Sequence, residues 1–107
     1  MSEAEDAEAR KQKQASVARE LEAKRRLEAV KAVMHTEDGR VFVWSLLEDC
    51  HLQSSIFSPE PTRLAYLEGQ RSVAAQLVKR LQAEVPALYV QMIAEAHARI
   101  SRGAELG

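Results

Sequence analysis

The chain has 107 residues, 46% of them hydrophobic and 29% charged, with a net charge of -1, the size and composition of one small globular domain rather than two. A near-neutral balance excludes a strongly basic nucleic-acid coat, and a single cysteine excludes an internal disulfide, so the fold needs no oxidising compartment. Four glycines and three prolines are few for a chain that must turn often, which argues against a β-sandwich or barrel.

The first third, from about Ser2 to Met34, carries eight basic and seven acidic residues without a proline or glycine, and nearly every residue in it is a strong helix former. Its opening, MSEAEDAEARKQKQ, lacks the apolar stretch of a secretory signal and holds the acids that transit peptides avoid. No later window reaches the roughly 18 to 20 apolar residues of a membrane span. These features predict a chain that stays in the cytoplasm where it is made. Glu20 with Lys24, Glu22 with Arg26 and Asp6 with Arg10 stand four apart, and each such pair adds about 0.2–0.5 kcal/mol on a helix surface. Up to residue 16 the only small apolar side chain is Ala, whereas Val17, Leu21, Leu27, Val30, Val33 and Met34 follow. Residues 1–16 therefore read as a solvated helix or a partner-ordered arm, 17–102 as a helical domain and 103–107 as a flexible tail.

Thr36, followed by Glu37 and Asp38, reads as the N-cap of a second helix running to about Cys50. That helix carries Val41, Phe42, Val43, Trp44, Leu46 and Leu47 and should be the most buried element. A loop from His51 to Pro61 contains Ser54, Ser55, Ser58 and Pro59, with Ile56 and Phe57 expected to tuck onto the core. The third helix runs from about Thr62 to Glu84, with Leu64, Leu67, Ala74, Leu77, Val78, Leu81 and then Val85 at helical spacing. Pro86 ends it or opens a fourth, which carries Leu88, Tyr89, Met92, Ile93, Ala96 and Ile100 and fades near Arg102–Gly103. Four helices without a repeat make a small all-α domain of about three to four helices with a long charged N-terminal helix or arm.

Few residues offer chemistry. Cys50 and His51 could form a thiolate pair, but neighbours on a helix point about 100° apart; the plainer reading makes Cys50 a small core residue and His51 a polar helix end. His35, His51 and His97 have no metal-ligand spacing and read as scattered surface residues. Gly69 inside the third helix suggests close approach of another backbone or ring. Glu68 and Arg71, three apart, share a face and could join Arg40 in an ion cluster tying helix two to helix three; Glu68 as a catalytic base is the rival. No catalytic residue, cofactor or metal is assigned. Arg19, Leu21, Lys24, Arg26 and Lys31 form the candidate interaction face, although Arg19 with Arg26 and Lys24 with Lys31 share separate sides of the helix. Interleaved acids favour a solvated face over a nucleic-acid site.

The sequence Thr36-x-x-Gly39-Arg40-x-Phe42, then Leu46-Leu47-x-x-Cys50, Phe57, Tyr66-x-Glu68-Gly69-x-Arg71 and Pro86-x-x-Tyr89-x-x-Met92 resembles a small protein family of tailed bacteriophages, first named from a Bordetella phage. The resemblance spans Val33 to Glu95 and leaves out the arm. It implies a non-enzymatic virion structural or assembly protein from a short-tailed phage, encoded in the virion-structure region. Thr36, Gly39, Arg40, Glu68, Gly69 and Arg71 would then belong to a shared structural core. The resemblance, together with an arm that cannot bury itself, points to other virion proteins as partners, at the portal–tail interface or among internal ejected proteins, and the arm as a bridge between neighbouring copies predicts a ring. Its places would be the virion and, during assembly, the host cytoplasm. The alternative is a small nucleic-acid-binding or regulatory helical module using the basic stripe from Arg19 to Lys31.

Overall fold

The computed structural model describes residues 2–52 and 56–106, and four helices fill most of them: α1 Glu3–His35, α2 Glu37–Asp49, α3 Pro61–Glu84 and α4 Pro86–Leu106. The fold is all-α, with 89% of the described residues helical and no strand among them. No described helix is long and apolar enough to cross a membrane. Ser54 and Ser55 of the expected loop lie outside the described residues.

Local chemistry sets each boundary. Ser2 caps α1: its hydroxyl accepts from the Glu5 amide at 3.2 Å, and the Glu5 carboxylate accepts from the Ser2 amide at 3.5 Å, a reciprocal capping box. Thr36 stops α1 in an extended conformation and caps α2 in the same residue. At the far end of α2 the chain reverses through His51 at φ 62. The His51 amide donates to Glu48 O at 3.0 Å and the Leu52 amide to Leu47 O at 3.1 Å, the paired bonds of a Schellman motif. Pro61 opens α3, where its missing N–H costs nothing. Pro86 both ends α3 and opens α4, since it cannot continue a helix yet suits a first turn; between them the Val85 amide donates to Leu81 O at 2.8 Å. α4 runs through Gly103 to Leu106, past the expected fade at Arg102–Gly103. One exposed glycine costs a helix only about 1 kcal/mol, and the following Ala, Glu and Leu are good formers.

The core gathers Met34 of α1, Val43, Trp44 and Leu47 of α2, Ala74 and Leu81 of α3, Val85, and Met92 and Ala96 of α4. α2 is the most buried element, with four of its thirteen residues inside. The Trp44 and His97 rings meet edge to face at 6.2 Å. Three apolar expectations change. Phe57 stays 83% exposed because Ser58 is buried and Ile56 half-buried, and alternation along non-helical chain turns the residue between them outward. Ile100 is exposed, lying beyond the last core turn at Ala96. Val17 and Leu21 are exposed as well, and α1 first becomes half-buried among its large apolar residues at Leu27.

The molecule is consequently long and flat, 74 × 39 × 17 Å with a radius of gyration of 20.4 Å, against about 13 Å for a compact chain of this length. Its accessible surface is 8231 Å², where a compact monomer of this mass exposes about 6,000 Å².

Candidate interaction site

The corner between α1 and α2 is built around two carbonyls that the end of α1 leaves without helical partners. The Thr36 hydroxyl donates to Val33 O at 3.3 Å and accepts from the Gly39 amide at 3.0 Å. The Arg40 guanidinium donates through Nη1 to Met34 O at 2.9 Å. Gly39 is needed for space, since its φ is negative: a Cβ there would overlap the Val33 carbonyl oxygen and lie 2.7 Å from its carbon.

Arg40 then reaches across to α4. Its Nε sits 3.1 Å from both Glu95 carboxylate oxygens and its Nη2 2.9 Å from Oε1, while Gln91 donates to the same oxygen at 2.8 Å. The Arg40 side chain is buried and that of Glu95 largely so. Hydrogen bonding by Arg40 holds the Glu95 carboxyl below its usual range despite the opposing effect of burial, with Gln91 and the Arg99 charge adding to the shift. Reciprocally, the Glu95 hydrogen bonds raise the Arg40 pKa from its ordinary value. This forked pair ties the end of α1, the start of α2 and the middle of α4 together.

The expected cluster of Arg40 with Glu68 and Arg71 does not form. Glu68, Gly69 and Arg71 are all exposed on α3, and nothing lies within 4 Å of a Cβ built at Gly69, so the close approach expected there is absent. Glu68 and Gly69 lie more than about 100° round α3 from the buried Ala74, and Arg71, nearer that side, is exposed before the first buried position of α3, whereas Glu95 flanks the buried Met92 and Ala96. That flanking position is the signal for Glu95 that the sequence does carry: an acid on the rim of a buried stripe can meet a buried base on the facing helix. Cys50 is a half-buried C-cap packed against the core and His51 is the reversal that follows it. No group of three or more potential metal ligands gathers among the described residues.

On α1, the candidate interaction residues divide between two sides. Arg19 and Arg26 border a cleft with Glu22, Arg80 and Glu84 of α1 and α3, in which Arg26 pairs with Glu22 and Arg80 with Glu84, each at 3.1 Å. Of the three pairs expected along α1, Glu22–Arg26 is the one that closes. Leu21 and Lys24 lie on the other side, with Lys31 about 80° round from Leu21; nine residues separate Leu21 from Val30, a half-turn beyond two full turns at about 100° per residue. The outer side of α1 between Arg10 and Leu21, including Lys13, Gln14, Val17 and Ala18, forms one shallow concavity.

A family model described as Bbp19-like phage protein matches residues 30–94, more than half of the chain. The chain belongs to this phage family. The Bbp19-like span takes in the end of α1, all of α2 and α3, and most of α4. It includes Thr36, Gly39 and Arg40 at the corner and Glu68, Gly69 and Arg71 on α3, while the Bbp19-like match begins after the exposed arm of α1. The family is thus the one that the order of motifs implies. No curated protein and no solved structure matches the chain significantly.

Proposed function

We propose that this Bbp19-like chain is a non-enzymatic virion structural or assembly protein that docks onto other virion proteins, at the portal–tail interface or among the internal proteins ejected with the DNA. It acts in the host cytoplasm while particles assemble and resides in the virion afterwards. The observation that carries this reading is the arm. Residues 3–21 of α1 continue the helix away from the core, contain no buried residue and expose Val17 and Leu21. A helix of 33 residues is about 50 Å long, and isolated helical segments gain most of their stability from packing. Membership of a phage family supplies the setting.

Deleting residues 1–16 tests the arm, because the family match and the core both lie outside that segment. The shortened chain is expected to fold, with helical circular dichroism and a cooperative melt, and to be depleted from purified particles in complementation of a phage lacking the gene. Normal incorporation of the shortened chain would sink the proposal.

A further inference from the structure

We infer that the outer face of α2 is the seat for the α1 arm of a second copy of this chain, so that copies join head to tail. This names a partner for the arm, and so rests on the arm being a docking element.

Two stripes carry the inference. The buried side of α2 holds Arg40, Val43, Trp44 and Leu47. The opposite side presents Asp38, Phe42, Leu46 and Asp49, with Phe42 60% and Leu46 39% exposed. The outer side of the arm presents Lys13, Val17, Leu21 and Lys24, with Val17 47% and Leu21 63% exposed. Both stripes have the spacing four, four, three: a charge, two large apolar side chains and a second charge of the same sign. Each spans twelve residues, about 16 Å of helix from end to end, and one is closed by two lysines where the other is closed by two aspartates. Laid side by side in the same direction, Lys13 meets Asp38, Val17 meets Phe42, Leu21 meets Leu46 and Lys24 meets Asp49.

The same chain cannot satisfy this match. α1 is unbroken from Glu3 to His35, and the Leu21 side lies about half a turn from Val30, which packs toward the chain's own core. The surface available is sufficient. The molecule exposes about 2,200 Å² more than a compact monomer of its mass. A standard contact takes about 800 Å² from each partner, and a copy engaged at both its arm and its α2 face would use about twice that. Because the two patches differ, the contact is heterologous and generates a closed ring or an open filament. Charged ends on an apolar centre make it sensitive to salt.

Light scattering after size-exclusion chromatography of the full chain tests this with two single variants, Leu21→Glu in the arm and Phe42→Glu on α2, both at exposed positions. The unaltered chain is expected to run as assemblies well above its 12.0 kDa monomer mass and to shrink as salt rises. Each variant alone is expected to be a folded monomer. Mixed in equal amounts, the two should form a heterodimer, because the intact arm of the Phe42→Glu chain meets the intact α2 face of the Leu21→Glu chain. A monomeric unaltered chain overturns the inference. So does a mixture of folded variants that stays monomeric, or Phe42→Glu assemblies that persist while Leu21→Glu abolishes them, which would mean arm-to-arm pairing. If the unaltered chain is monomeric and deletion of residues 1–16 still depletes it from particles, the virion role stands with another partner and this inference alone fails.

Discussion

Replacing either of two glycines by alanine should move stability in opposite directions. Both lie inside helices, Gly39 in α2 and Gly69 in α3, and helix propensity alone credits each replacement with about 1 kcal/mol of stabilisation. At Gly69 nothing opposes that gain, since the space around a new Cβ is empty to 4 Å. At Gly39 the methyl would overlap the Val33 carbonyl oxygen, with the Val33 carbon at 2.7 Å and the Thr36 hydroxyl at 2.9 Å. The first two are backbone atoms at the end of α1 and cannot rotate aside. Relief requires α2 to shift from the corner, which stretches the Thr36 cap and the Arg40 bond to Met34 O. Overpacking costs about 1–3 kcal/mol and loss of a cap about 1 kcal/mol, so after the propensity gain Gly39→Ala loses about 2 kcal/mol. In a core of this size that lowers Tm by about 8–16 °C. Gly69→Ala should raise Tm by about 2–8 °C. Thermal melts followed by circular dichroism at helix wavelengths measure both, and a Gly39→Ala chain as stable as the original would refute the packing argument.

Two other perturbations probe the same framework. His51→Gly should stabilise the chain by about 0.5–1 kcal/mol in urea unfolding, because the left-handed turn at φ 62 costs a non-glycine residue about 1–2 kcal/mol and the added freedom of the unfolded glycine offsets part of the relief; a destabilised variant would mean that the imidazole makes a compensating contact. Glu95 is held below its ordinary range by Arg40, so its folded form binds a proton less readily than its unfolded form. Its contribution is present above the unfolded value, near about 4.3, and is lost as pH falls through the lower folded value. Urea unfolding of the original chain and of Glu95→Gln should therefore differ most near neutral pH and converge below about pH 4. A gap that stays constant into acid would remove ionised Glu95 from the account.

The boundaries were legible because their causes are local. Thr36 with two acids after it, Pro61 and Pro86 each act within one helical turn, and the stripes through Ala74–Leu81 and Met92–Ala96 follow from helical spacing alone. The partner of Arg40 was not legible in the same way. Glu95 is 55 residues away, and spacing says which side of a helix is buried without saying which neighbour buries it, so Glu68 and Arg71, three apart on one face, were an equally consistent choice. Phe57 misled for a related reason. A large apolar side chain favours burial, but its direction is set by Ser58 and Ile56 turning inward. The exposed Val17 and Leu21 looked like the start of the docked half of α1, whereas they precede Leu27, where its large apolar residues first become half-buried, and Leu21 lies half a turn from Val30.

The double use of Thr36 has a mechanical consequence. With one hydroxyl bonded to the last turn of α1 and the first turn of α2, and Arg40 clasping the Met34 carbonyl, the corner is a clamp at one end of a rod. From Met34 to Ser2 the rod is about 48 Å long, so a tilt of about 5° at the clamp swings the far tip through about 4 Å. A shift at the corner no larger than one methyl group is thus amplified into a displacement that decides which turn of a neighbouring helix the tip can meet.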